Sequence, residues 1–112
     1  MAYDEDLANR IRELVLMQEG VTEKKMFGGL AFLIDGNMSV SASGRGGLLV
    51  RVDPEESDTL VARNEHASVA DMGGRTMRGW LRVELAGVKT KRQLESWVAR
   101  SVGYARSLPS KR

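Results

Sequence analysis

The chain has 112 residues, 42% of them hydrophobic and 29% charged, with net charge +2 and no cysteine. That is one soluble-type domain, large enough for a two-layer core without covalent staples. The composition excludes a disulfide framework, a thiolate nucleophile and a cysteine zinc site. The acidic start, MAYDEDLANR, has no apolar stretch of signal-peptide kind, and no apolar run nears the ~18 residues of a membrane span. The expected location is therefore the cytoplasm, with no membrane partner.

The first element in chain order is a helix from Asp4 to about Met17. Asp4 is its N-cap, Glu5 and Asp6 suit the positive end of its dipole, and Gly20 ends it. Leu7, Ile11, Leu14 and Val15 form one apolar stripe. A strand begins at Lys25–Phe27 and is broken or bulged at Gly28-Gly29. It continues as the apolar run Leu30–Ile34 to the hairpin signal Asp35-Gly36. Met38–Ser43 alternates, which places Ser39, Ser41 and Ser43 on a solvated face. Gly44-Arg45-Gly46-Gly47 turns the chain into Leu48–Val52.

Asp53-Pro54 opens a short second helix that ends near Asn64, with Glu56 completing a capping box. Ala67–Asp71 is a weaker strand. Residues 72–79 read as a glycine-punctuated loop before a last strand, Trp80–Leu85. Thr90 and Gln93 then cap a third helix. Its stripe is Leu94, Trp97, Val98, Val102, Ala105 and Leu108, and it stops at Pro109. The resulting order, α-β-β-β-α-β-β-α over residues 1–112, implies an α+β two-layer sandwich. Its five-stranded, largely antiparallel sheet carries the helices on one face.

Residues able to do chemistry are sparse. His66 is the only histidine, and Glu65 and Asp71 near it lack metal-ligand spacing. The glycine loops join strand to strand, not strand to helix, so no dinucleotide or P-loop site is expected. The carboxylate clusters Asp4-Glu5-Asp6 and Glu55-Glu56 fall in first helical turns, where dipole and capping explain them. No catalytic residue, metal ligand or cofactor-binding residue is assigned, and no cofactor is expected.

Charge is unevenly spread. Residues 1–36 and 37–72 each carry −3, and residues 73–112 carry +8. Arg75, Arg78, Arg82, Lys89, Lys91 and Arg92 are expected to lie near one another around Trp80. Arginine beside an exposed aromatic is one way to hold single-stranded nucleic acid, but Trp80 opens an apolar strand and Trp97 is on the third helix's stripe, so both are expected in the core.

Two segments carry a family resemblance: KKMFGGLAFLIDGNM (24–38) and GRTMRGWLRV (74–83). With the opening MAYDEDL and the closing helix, the chain resembles the N-terminal domain of the TfoX/Sxy competence-regulator family over nearly its whole length. The resemblance implies a secretion-chaperone-like fold and a regulatory role. Two-domain members promote competence-gene transcription together with a cyclic-AMP-responsive activator. Ending at Arg112, this chain is expected to be a stand-alone N-terminal domain. The family offers no catalytic residues to carry over.

These observations lead to a small, non-catalytic protein-interaction module, related to transcription or competence, that acts through protein partners. Its contact residues are assigned to two loops: Lys25, Phe27 and Gly28 in one, Arg75, Met77, Arg78 and Trp80 in the other. Met77 supplies adaptable apolar contact, and the arginines fork onto carboxylates. Homodimerisation through an open sheet face is a further expectation. The alternatives are nucleic-acid binding through the basic C-terminal third and an enzyme with an unrecognised site.

Overall fold

In the computed structural model, residues 3–26, 28–72 and 74–110 are described. Helix α1 spans Glu5–Leu14, with the Asp4 carboxylate accepting from the Leu7 amide at 3.1 Å. Four strands follow: β1 Val21–Met26, β2 Gly29–Ile34, β3 Asn37–Ala42 and β4 Leu48–Arg51. A 3-10 turn at Pro54–Glu56 leads into α2, Ser57–Arg63. Strands β5 Ala67–Met72 and β6 Arg75–Val83 then precede a second 3-10 turn, Leu85–Gly87, and α3, Lys91–Ser107. Six strands form one antiparallel sheet in the order β1-β2-β3-β4-β6-β5.

The α+β class holds, but the expected five strands become six. Gly28-Gly29 does not bulge one strand. It closes a hairpin in which β1 pairs with β2 from Val21↔Ile34 to Met26↔Gly29. The first strand was hidden because VTEKKM is an edge strand whose Thr22–Lys25 segment is exposed throughout, so no alternation marks it. Glu23, Lys24 and Lys25 on that edge discourage pairing with another chain. Gly29 and Gly44 are required by close approach. A Cβ on Gly44 would lie 2.6 Å from the Gly28 carbonyl oxygen, and one on Gly29 only 2.4 Å from that of Ala42.

Phe32, Val40, Val50 and Leu81 stand opposite one another across β2, β3, β4 and β6, all fully buried. Leu7 and Ile11 of α1, Leu60 of α2, and Leu94, Trp97 and Val98 of α3 close over this row in one core. Val102 and Ala105 extend the α3 contribution as the periodicity predicts. The Thr90/Gln93 capping box is complete, and Asp35-Gly36 turns with φ of 51° and 85°.

Three local readings are corrected. Helix α1 ends at Leu14, leaving Leu16 and Met17 exposed. Gly20 instead starts the β1 hairpin, its carbonyl accepting from the Asp35 amide at 2.9 Å. Glu56 makes no capping box; its carboxylate accepts from Arg100 of α3 at 3.0 Å, while Asp53 caps through the Glu55 amide. Ser39 and Ser41 are buried, not solvated, and only Ser43 is partly open. β3 is an inner strand, and its register with β2 shifts at Phe32/Leu33, where Ser39 Oγ donates to the Phe32 carbonyl at 2.8 Å.

One surface ion pair links α1 to the β1 edge. Arg12 Nε and Nη2 donate to the two Glu23 carboxylate oxygens at 2.6 and 2.7 Å. This hydrogen bonding holds the Glu23 carboxyl below the usual carboxylate range, against a smaller opposing effect of burial. A lowered folded-state pKa stabilises fully above the unfolded value, and the contribution disappears as pH falls through the folded value. Both side chains are well solvated, so the effect is modest. Glu23→Gln is therefore expected to cost a little stability at neutral pH. The difference from wild type should close in acid, as followed by thermal unfolding across pH.

Candidate functional site

Pairing of β4 with β6 ends at Arg51↔Trp80, so Arg75–Met77 has only β5 beside it. The residues read as a loop are thus the outer strand of a two-stranded arm. Between the pairs Ala70↔Met77 and Val69↔Leu81, three residues of β6 stand unmatched: Arg78, Gly79 and Trp80. The MRGW segment is a bulge, and bulges bend and twist a strand. Arg75, Thr76, Met77 and Arg78 are exposed along the arm.

The base of the arm is fixed to the body. The Gly79 amide donates to Ser57 Oγ at 2.7 Å, and its carbonyl accepts from the Val52 amide at 2.8 Å. Gly79 has φ +89°. The Arg51 guanidinium lies 5.2 Å from the Trp80 ring centroid and 5.8 Å from that of Tyr104 on α3. Trp80 is therefore a half-buried stacking partner at the arm's root and not part of the central core.

The two loops assigned from sequence do not meet. Lys25 and Gly28 are both exposed, and Gly28 lies against Gly44, at the sheet end where Ala42 pairs with Leu48 and Leu48 with Val83. Arg75–Trp80 lies at the opposite end. Phe27 lies outside the described residues. The basic C-terminal third is divided in the same way. Arg75 and Val83 bound a nine-residue strand. The bulge adds residues without adding length, so β6 advances only as far as the six residues of β5, and at about 3.3 Å per residue Arg75 stands some 17 Å from the end where the chain turns toward Lys89, Lys91 and Arg92. Arg82 leans on the Gly46 carbonyl at 3.4 Å.

A second feature was not foreseen. A cleft of about 420 Å3 opens between the end of α2 and the first half of α3. Arg63 comes from α2, and Arg92, Ser96 and Arg100 from α3; Leu60, Val83 and Trp97 provide apolar wall. The i, i+4, i+8 spacing of Arg92, Ser96 and Arg100 was available in the sequence. Arg63 could be added only by the packing of α2 on α3. His66 is also at this cleft, its ring nitrogens each 3.4 Å from a carboxylate oxygen of Glu65 and Glu84. Among the described residues, no group of three or more histidine or acidic side chains is arranged to hold a metal ion.

A family model described as the TfoX N-terminal domain matches residues 13–105, from the end of α1 almost to the end of α3. The chain belongs to the TfoX N-terminal domain family. Neither the curated proteins nor the solved structures gave a match. The matched region contains both segments that carried the resemblance. In this TfoX N-terminal domain one of them forms the β1–β2 hairpin and the other the bulged arm. None of its described helices is long and apolar enough to cross a membrane.

Proposed function

We propose that this TfoX N-terminal domain is a non-catalytic, cytoplasmic interaction module with a regulatory role in transcription or competence, and that it docks a partner protein through the β5–β6 arm. The observation that carries the reading is the arm itself. A strand pair bent at Gly79 and anchored through Ser57 and Val52 presents Arg75, Met77 and Arg78 to solvent. Membership of the TfoX N-terminal domain family supports the regulatory part. Two exposed arginines flanking a methionine suit an acidic protein surface with an apolar centre. The separation of Arg75 and Arg78 from Lys89, Lys91 and Arg92 favours this over nucleic-acid binding, which gains from a continuous cationic track.

The test is affinity capture from the native cell extract with wild type and the Arg75→Glu/Arg78→Glu variant. Charge reversal at both arm positions is expected to release the specific partner and leave the fold intact. Retention of every partner by the variant would remove the arm from consideration.

A further inference from the structure

The cleft between α2 and α3 carries a separate inference. Helix α3 places no acidic residue in its first turn and puts Lys91 and Arg92 there instead. The helix dipole disfavours cations at that end. Arg63, in the last turn of α2, is favoured by the dipole of its own helix, but the packing turns it toward the same cleft as Arg92. Arg100 is engaged by Glu56 at 3.0 Å. Among the described residues, Arg63 and Arg92 have no ion-pair or hydrogen-bond partner. The carboxylate that lines the cleft with them belongs to Glu65, which instead lies 3.4 Å from His66. Both guanidinium groups line the cleft, open to solvent and unengaged, so an anion entering it would meet two donors that no described carboxylate of the domain occupies.

We propose that the cleft binds a small organic phosphate monoester. Its dianionic head would bridge Arg63 and Arg92, with Ser96 beside it, and its organic part would lie on Leu60, Val83 and Trp97. A phosphate accepts paired N–H bonds from each arginine fork, and two uncompensated arginines match a dianion better than a single carboxylate. The volume of 420 Å3 falls in the range of small-molecule sites, about 300–1,000 Å3. The site stands apart from the arm, so its failure would leave the docking proposal untouched, and the reverse also holds.

The test is an NMR titration of the purified chain with phenyl phosphate, inorganic phosphate and phenylacetate, read at the backbone amides of Gln93, Ser96 and Trp97. Saturable shifts are expected with phenyl phosphate, weaker binding with inorganic phosphate, and weakest with phenylacetate. The Arg63→Gln/Arg92→Gln variant should bind phenyl phosphate at least about tenfold more weakly. Arg75→Gln/Arg78→Gln should match wild type, and Glu65→Gln should bind more tightly by removing the opposing charge. The Glu65 variant keeps the proposal testable if the double variant is unstable. Absence of saturation, phenylacetate equal to phenyl phosphate, or wild-type affinity in the Arg63/Arg92 variant would overturn the site. Equal affinity for the two phosphates would overturn the organic half of the assignment.

Discussion

Phe32→Ala should lower the unfolding free energy by about 3–5 kcal/mol, the usual scale for emptying a buried aromatic position. Phe32 is fully buried at the β2 end of the row that continues through Val40, Val50 and Leu81, in the core beneath the helical layer. β2 is hydrogen-bonded to β1 on one side and to β3 on the other, so the cavity cannot close by a simple backbone shift. A domain of this size has only about 5–15 kcal/mol to lose. Urea denaturation should therefore show a large fall in midpoint with an unchanged slope. A loss below about 1 kcal/mol would contradict the placement of Phe32 in a rigid core.

Gly79→Val should both destabilise the domain and misdirect the arm. Gly79 holds φ +89°, and a Cβ there would lie 3.0 Å from Pro54 Cγ and 3.2 Å from the Val52 carbonyl oxygen. A β-branched residue in that backbone region costs roughly 1–3 kcal/mol before any clash is counted. Relief requires moving Gly79 away from Ser57 Oγ and Val52, the two contacts that set the arm's angle. Loss of partner binding together with a lower thermal midpoint is expected. A variant that binds as wild type would show that the bulge does not position Arg75 and Arg78.

Elements governed by local chemistry were open to reading from the chain. The Asp35-Gly36 turn needs two positive φ values, which asparagine, aspartate and glycine tolerate best. The Thr90/Gln93 box and the α3 stripe depend on residues at most a few turns apart. What stayed hidden depends on neighbours distant in sequence. β1 is an edge strand without alternation, so only its pairing with β2 reveals it. The alternation in β3 correctly separated Val40 and Ala42 from Ser41. It could not show that a register shift and two flanking strands would bury Ser39 and Ser41.

The candidate sites divide along the same line. Arg75, Met77 and Arg78 were legible because glycine, arginine and methionine between two strand signals point to exposed chain. Their form as a bulged two-stranded arm was not, because β4 stops at Arg51 and leaves β6 to run on. Lys25 and Gly28 were grouped with them, but the sheet register puts them at its other end. The α2–α3 cleft joins Arg63 to Arg92 and Arg100 through tertiary packing alone.

The claim that this domain acts by docking through its arm is most directly measured by amide hydrogen exchange, with and without the captured partner. The account predicts slowed exchange concentrated at Arg75–Trp80 in the complex, lost in the Arg75→Glu/Arg78→Glu variant. Unchanged exchange along the arm, with protection appearing on another surface of the domain, would contradict it.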